Sequence, residues 1–219
     1  MPIRLDERLA KIASLVDCGS VADIGCDHGK LGYYLIGTDR ADKVIATDIS
    51  APSLAKASEL ARENGVSELM QTRLGNGLDP VGDGEVDTVI IAGMGGDLIA
   101  EILSRASEQG KSFCHYILSP NTHPEKVRKE IVKQRHTIIF DEMLECGGKV
   151  YTVIKTQKGE SSLDDMQIRF GAFYKTSDNF KRFAIRELEI KRNVYAQNPQ
   201  SDKLKEQIAL LETALGVNK

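Results

Sequence analysis

Residues 21–29 combine glycines, carboxylates, a thiol and an imidazole at a spacing typical of a ligand-binding turn. An apolar run ends at Gly25, a second glycine stands at Gly29, and a helical pattern begins after it. This order predicts a strand, a tight turn and a helix whose first N–H groups are exposed beside the turn. The candidate ligand-binding residues are Asp23, Gly25, Cys26, Asp27, His28 and Gly29.

The charge of this turn indicates which ligands suit it. The dinucleotide-binding pattern Gly-x-Gly-x-x-Gly is absent from it. Asp23 and Asp27 would repel a pyrophosphate, which favours glycines and helix N–H groups with little negative charge nearby. Their carboxylates suit a ligand with a positive centre, such as S-adenosylmethionine, which has an ammonium, a sulfonium and a ribose diol but no phosphate. An ordinary turn of an α/β protein that binds no ligand is the alternative.

A second apolar run, residues 44–47, ends in the carboxylate of Asp48. An acidic residue at the tip of the second strand of a βαβ unit is placed to accept hydrogen bonds from a ribose diol. Together, this carboxylate and the glycine turn favour a nucleoside-containing ligand more strongly than either does alone.

The overall composition limits the possible classes of protein. The chain has 219 residues, of which 41% are apolar, and a formal charge of −3. It can bury a core, and its acidity excludes a generally basic nucleic-acid-binding protein but allows a local basic patch. Four cysteines without metal-ligand spacing indicate reduced thiols and no metal site. We expect a cytoplasmic protein, because neither a membrane span nor a secretory signal is recognisable.

Alternating strand and helix patterns place the candidate residues in an α/β fold. Strands are predicted over residues 21–25, 44–48, 69–74, 87–92 and 116–119. The run 87–92 is apolar enough to be central in the sheet. Helices are predicted over residues 5–16, 50–64 and 124–134, with a further one after residue 96; Ser50 would cap the second of these.

Residues 137–140 and 150–154 flank Gly147 and Gly148 with no helix between them. They predict a β-hairpin and an antiparallel strand at one edge of an otherwise parallel sheet. Five strand–helix units closed by a hairpin are the pattern of a class I methyltransferase sheet, whereas a dehydrogenase-type sheet would continue parallel.

After residue 162 the pattern is helical only. One helix is predicted over residues 166–195, and Asn198-Pro199 ends it. A second helix carries a short heptad seam of Leu204, Ile208, Leu211 and Leu215. We expect an antiparallel helical hairpin in which this seam packs the two helices together. The cations Lys181, Arg182 and Arg186 mark either a solvated face or a surface that follows RNA phosphates.

Further candidate residues follow the fourth and fifth strands. Gly93, Gly95 and Gly96 would let a purine approach, and Met94 offers it an apolar contact. Asn121 could hydrogen-bond an adenine edge, and Asp27 would stabilise a developing positive charge. Asp97 is better explained as a residue at a helix N-terminus. Lys126, Arg128 and Lys129 are expected to be exposed and to contact RNA.

These motifs resemble those of bacterial tRNA adenine-N1 methyltransferases of the TrmK type, over nearly the whole chain. The matching stretches are residues 5–9, 22–28, 75–78, 92–96 and 120–121, the Gly147-Gly148 hairpin and the helical tail. The resemblance implies S-adenosylmethionine-dependent methylation of N1 of adenosine 22 in the D-arm of tRNA. It also implies a class I fold with a seven-stranded, mostly parallel sheet and a coiled-coil-like tail.

The resemblance also assigns residues and partners. Residues 25–28 would hold the methionine end of the cofactor, Asp48 the ribose, and Asn76 with Gly77 the adenine, while Ile49 and Gly93 complete the cofactor site. Residues 1–158 would form the methyltransferase domain and residues 159–219 the tRNA-binding tail. We expect a monomer whose partner is tRNA, with neither membrane nor metal.

The chemistry itself makes few demands on the protein. Adenine N1 is neutral at pH 7 and has an in-plane lone pair, so catalysis would be mainly positioning and desolvation of an extruded base. His28 is therefore better interpreted as a cofactor contact or a turn hydrogen bond than as a base. The alternatives are a class I methyltransferase acting on another RNA, a protein or a small molecule, a Rossmann oxidoreductase, and an RNA-binding module without catalysis.

Overall fold

The computed structural model describes residues 4–217, which form a seven-stranded sheet covered by helices. Residues 1–3, which the secretory-signal expectation concerns, and residues 218–219 lie outside this range. The strands are β1 Ser20–Ile24, β2 Lys43–Asp48, β3 Met70–Leu74, β4 Thr88–Ala92, β5 His115–Ser119, β6 His136–Cys146 and β7 Lys149–Lys158. The helices are α1 Glu7–Ser14, α2 Lys30–Gly37, α3 Ala51–Glu63, α4 Gly96–Glu108, α5 Pro124–Lys133, α6 Asp165–Phe170, α7 Asp178–Gln197 and α8 Asp202–Leu215.

The strand order β3-β2-β1-β4-β5-β7-β6 confirms the predicted class I methyltransferase sheet, with β4 at its centre. Two details differ from the prediction. Within residues 4–217, β3 leads to β4 without an intervening helix, so the sheet has four strand–helix units rather than five. The antiparallel strand is β7, which lies between β5 and β6 rather than at the edge. The returning strand of the hairpin pairs with β5 and leaves β6 outermost.

Helices cover both faces of the sheet. Ile12 of α1, Leu31 of α2 and Leu54 of α3 pack on one face. Ile99 of α4 and Val127 of α5 pack on the other. The parallel strands end at one edge, called here the carboxyl edge, where the loops after β1 to β5 meet.

The β6–β7 hairpin is longer than predicted. β5 and β7 pair as far as Leu118↔Ile154, but the β6–β7 ladder continues from Glu142↔Val153 to Cys146↔Lys149. Residues 142–153 therefore form a projecting hairpin beyond the carboxyl edge. Leu144 packs with the α1 side of the core, whereas Met143 packs with α7 and α8.

The helical tail is broken where one continuous helix is predicted. α6 ends at Gly171, whose φ of +123° suits glycine, and α7 begins only after Ser177, whose hydroxyl accepts the N–H of Phe180. Phe173, predicted on the buried helix face, lies in this break and is 40% exposed. The antiparallel hairpin of α7 and α8 is confirmed, with Leu211 buried in its seam.

Arg128 corrects one sequence assignment. It is predicted as an exposed, RNA-contacting cation, but its side chain is fully buried. Its guanidinium makes two hydrogen bonds to the carboxylate of Asp141 and donates to the carbonyl of Ile168. A side chain held in this way has no surface to offer a phosphate, so its role is structural.

Candidate active site

A cavity of about 220 Å³ opens at the carboxyl edge of the sheet. It brings together predicted residues from four separate loops, because parallel strands end on the same side. These residues are Gly25, Asp48, Ile49, Asn76, Gly77, Gly93 and Met94. The wall is completed by residues that sequence reasoning did not single out, chiefly Thr47 and Leu98.

The carboxylate of Asp48 is fixed by the backbone. Its Oδ2 accepts the N–H of Asp27 at 3.1 Å, and its Oδ1 accepts the N–H of Ser50 at 2.8 Å. The turn is also bound to β2, since the N–H groups of Gly25 and Cys26 both donate to the carbonyl of Thr47. The structure therefore holds this carboxylate at the rim of the cavity, and each of its oxygens has capacity for a further hydrogen bond.

Glycines around the cavity serve different purposes. A Cβ at Gly25 would strike the methyl group of Met94, which covers the turn, and φ at Gly25 is +72°. A Cβ at Gly29 would lie 2.8 Å from that of Ala57, so this glycine lets α2 pack closely on α3. A Cβ at Gly96 would collide with the backbone of residues 122–123. Gly96 is thus required for packing, which corrects its assignment as open space for a base.

His28 and Cys26 take up structural contacts at the turn. The Nε2 atom of His28 lies 3.2 Å from the ammonium of Lys56 and 3.5 Å from Oδ1 of Asp27. Burial raises the pKa of the Cys26 thiol, so this side chain is a neutral part of the wall. These positions agree with turn contacts and do not indicate a general base.

Asp23 is a buried carboxyl group without a matching donor. Its side chain is 5% exposed, and its Oδ2 has no hydrogen-bond partner within residues 4–217. Burial, with a smaller contribution from the charge of Asp48, raises the pKa of Asp23 to about 7. An unpaired buried carboxyl costs free energy unless a positive group meets it. The ammonium of S-adenosylmethionine is such a group, so the residues present fit this cofactor.

Asn121 positions the loop after β4. Its Nδ2 donates to the carbonyl of Gly93 at 2.7 Å, and its backbone N–H donates to the carbonyl of Met94 at 2.8 Å. Asp97 is paired with His123 and Lys126 at the start of α4. This agrees with the interpretation of Asp97 as a residue of the helix N-terminus.

The predicted RNA-binding cations lie apart from the cavity. Lys129 is exposed on α5, and Lys126 is engaged by Asp97. Arg182 and Arg186 line a cleft of about 500 Å³ between α7 and the projecting hairpin, and Arg186 lies 3.5 Å from Glu145. Lys181 precedes them on α7, where its ammonium is 3.7 Å from Asp178.

Sequence reasoning missed Arg8 and Tyr151. The guanidinium of Arg8 on α1 lies 5.0 Å from the centre of the Tyr151 ring on the projecting hairpin. Arg8 precedes the fully buried Ile12 by four residues and so shares its helix face, which is a signal that the sequence does contain.

Two searches concern only residues 4–217. No helix there has the length and apolar character needed to cross a membrane. No group of three or more His, Cys, Asp or Glu side chains is arranged there as metal ligands.

Comparisons with known proteins extend over nearly the whole chain. The model of a family described as "Methyltransferase domain" matches residues 5–154. The tRNA (adenine(22)-N(1))-methyltransferase of Bacillus subtilis is 31% identical over 208 residues, which are 91% of this chain and 87% of that one.

Solved structures show the same similarity. A Streptococcus pneumoniae structure in complex with S-adenosyl-L-methionine is 27% identical, has a TM-score of 0.87, and is matched over 97% of this chain and 100% of its own. TrmK of Mycoplasma capricolum in complex with S-adenosyl-homocysteine is 25% identical, has a TM-score of 0.86, and is matched over 98% and 99%.

Proposed function

Because the chain belongs to the family of tRNA (adenine(22)-N(1))-methyltransferases, we infer that it transfers a methyl group from S-adenosylmethionine to N1 of adenosine 22 in the D-arm of tRNA. The observation that carries this conclusion is the 31% identity to the Bacillus subtilis enzyme over 91% of the chain. The predicted cofactor and fold class are confirmed by relatives solved with S-adenosyl-L-methionine and S-adenosyl-homocysteine.

The cavity at the carboxyl edge holds the nucleoside part of the cofactor in this proposal. Asp48 accepts hydrogen bonds from the ribose hydroxyls, and its fixed position supports this role. Asn76 and Gly77 line the adenine end, with Ile49 and Leu98 as apolar walls. Gly25 to His28 face the methionine end, and Asp23 receives the ammonium.

The target base approaches past Gly95, beside Met94 and Asn121. S-adenosylmethionine supplies an electrophilic methyl group when bound. Asn121 keeps the residue 93–95 loop in place through its bonds to Gly93 and Met94. Adenine N1 is neutral at pH 7 and needs no general base, so the protein contributes orientation and exclusion of water. Asp27, which is exposed at the turn, stabilises the positive charge that develops on the base.

The helical tail and α5 contact the tRNA outside the cavity. Lys181, Arg182 and Arg186 lie on the first long helix of the tail, and Lys126 and Lys129 lie on α5. These positions support a division into a methyltransferase domain, residues 1–158, and an RNA-binding tail, residues 159–219. A tRNA substrate also implies that the protein works in the cytoplasm.

Methyl-group mapping tests the proposed function directly. The purified protein is incubated with S-adenosylmethionine and an unmodified tRNA transcript, and N1-methyladenosine is located by mass spectrometry of nuclease fragments. We expect one methyl group at adenosine 22 and none in a transcript with guanosine at that position. Methylation of the guanosine transcript, or of an adenosine elsewhere, would contradict the assignment and favour the alternative of another RNA substrate.

A further inference from the structure

Three buried polar atoms have no hydrogen-bond partner within residues 4–217: Nη1 of Arg8, Oδ2 of Asp23 and Oγ of Ser119. Buried polar atoms of native proteins are nearly always paired, so each unpaired one calls for an explanation. The proposed function uses only Asp23 among them.

The three atoms belong to the same face of the sheet. Asp23 is paired in register with Ile90, and Ala92, two residues further along β4, is paired with Ser119. Residues paired in register, or two apart in a strand, point to the same face. Ile90 and Ala92 pack in the cluster that contains Ile12 of α1, so this is the face that α1 covers.

Arg8 reaches this face at the carboxyl edge. Its Nη1 lies 4.0 Å from the position that a Cβ would take on Gly93. The ring of Tyr151 supports the guanidinium from the projecting hairpin. Gly93 also lines the cavity, so Arg8 stands at the end of the cavity near β4 and the turn. A guanidinium donor that is buried and unpaired points to an anionic group.

We propose that Arg8 binds the carboxylate of the amino-acid end of S-adenosylmethionine, while Asp23 binds its ammonium. The two side chains thus recognise a zwitterion through one cation and one anion on the same face of the sheet. Ser119 Oγ offers an additional donor at the end of β5. The inference rests on the proposed function, because it takes S-adenosylmethionine as the cofactor.

A phosphate of the tRNA fits these observations less well. The unpaired Nη1 is buried under α1 and beside the glycine loop, whereas phosphates follow exposed surfaces. The acidic groups Asp23, Asp27 and Asp48 surround the turn and would repel a phosphate diester, but Asp23 would pair with the ammonium of a zwitterion. The remaining explanation is that Arg8 only packs on Tyr151.

Calorimetric titrations with three ligands separate the two explanations. S-adenosylhomocysteine has the whole amino-acid end, decarboxylated S-adenosylmethionine lacks the carboxylate, and 5′-methylthioadenosine lacks both the carboxylate and the ammonium. Arg8→Met should weaken binding of S-adenosylhomocysteine by about tenfold or more, because it removes charge-assisted hydrogen bonds. It should leave binding of the other two ligands within about twofold of the wild type. Arg8→Lys, which keeps the charge, should recover part of the affinity.

Lys11→Met is the matched control, since Lys11 lies one turn along α1 and its ammonium stacks 4.6 Å from the centre of the Phe140 ring. It should bind all three ligands like the wild type. Equal weakening of 5′-methylthioadenosine and S-adenosylhomocysteine by Arg8→Met would overturn the proposal, and so would unchanged affinity for S-adenosylhomocysteine. A wild-type protein that binds none of the ligands would instead contradict the proposed function itself.

Discussion

Arg128 and Asp141 form a buried, two-point ion pair at the junction between the sheet and the helical tail. Nε of Arg128 lies 2.7 Å from Oδ2 of Asp141, and Nη2 lies 2.9 Å from Oδ1. The same pair holds the start of the tail: Nη1 donates to the carbonyl of Ile168, and Oδ2 accepts the N–H of Ala172. The tail is therefore fastened to the domain by hydrogen bonds in the interior rather than connected by a loose linker.

Arg128→Met should lower the free energy of unfolding by about 3–5 kcal/mol, because it leaves the Asp141 carboxylate buried without its partner. The double variant Arg128→Met with Asp141→Leu should recover much of the loss. Urea unfolding measures both. Lys129→Met, at the exposed neighbouring position, is the control and should change stability by less than about 0.5 kcal/mol. If Arg128→Met were as stable as this control, the ion pair would not hold the junction.

Affinity for S-adenosylhomocysteine should rise with pH from 5.5 to about 7. The pKa of Asp23 is raised to about 7, chiefly by burial. Only its ionised form attracts the ammonium, so at pH 6 the affinity should be about tenfold below the plateau. Titrations at several pH values measure this dependence. Asp23→Asn should remove the pH dependence, and a variant that keeps the same profile would assign it to another group.

The same shift has the opposite effect on the protein without cofactor. The folded-state pKa of Asp23, about 7, lies above the ordinary value of 3.8 for an aspartic acid. The folded state therefore binds the proton more tightly than the unfolded state, and stability falls as pH rises from about 4 to 7. At pH 8, Asp23→Asn should raise the free energy of unfolding by up to about 4 kcal/mol. Urea unfolding at pH 8 checks this, and lower stability of the variant would contradict the cost assigned to the buried charge.

Asp48→Ala should weaken cofactor binding by about 2–3 kcal/mol, because it removes charge-assisted hydrogen bonds to two hydroxyls. The backbone N–H groups of Asp27 and Ser50 would also be without their acceptor, so the turn should become less ordered. Calorimetry with S-adenosylmethionine gives the affinity, with Glu63→Ala on the exposed side of α3 as the control. Unchanged affinity in Asp48→Ala would remove this residue from the site.

Gly95→Val and Gly96→Val should fail in different ways. Gly95 has ordinary extended dihedral angles and an added Cβ would lie 3.2 Å from Thr122 Oγ1, so Gly95→Val should fold and bind cofactor but lose methyl transfer. Gly96→Val should destabilise the fold, since its Cβ meets the backbone of residues 122–123. Thermal melting and turnover on tRNA distinguish them. Wild-type turnover in a folded Gly95→Val protein would mean that the base does not approach beside this loop.

Replacing Lys181, Arg182 and Arg186 together with alanine should weaken tRNA binding and leave S-adenosylmethionine affinity unchanged. For every phosphate that the variant no longer neutralises, the salt slope of tRNA binding should fall by about 0.7–0.9. Titrations at several salt concentrations give the slope. Lys203→Ala with Lys205→Ala on α8 is the control for a general reduction of positive charge in the tail. A triple variant with the wild-type slope would return this helix to a packing role.

The sequence predicts the strands, their order class and the cavity well, because Gly25, Asp48 and Gly93 follow apolar runs whose carboxyl ends meet at one edge. It fails where tertiary contacts decide. Arg128 lies among surface cations in the sequence, and only the position of Asp141 thirteen residues later explains its burial. The break at Gly171 is similarly hidden, since the helical pattern on both sides of it is strong.

Arg8 shows a further limit. Its helix face is readable from the sequence, but its nearness to Gly93 depends on how α1 crosses the sheet. Periodicity assigns a side chain to a face of its own helix and does not say which loop of a distant strand that face meets.

The length of the projecting hairpin can change only in steps. Tyr151 supports Arg8 on one face of it, and Met143 packs against the tail on the other. Deleting one residue from each strand would turn every side chain beyond the deletion to the opposite face. Deleting two from each strand would preserve the faces and shorten the hairpin by about 7 Å. The two-residue repeat of the β-strand thus couples the spacing between cofactor and tail to an even number of residues, and insertions that keep the enzyme functional should occur in pairs.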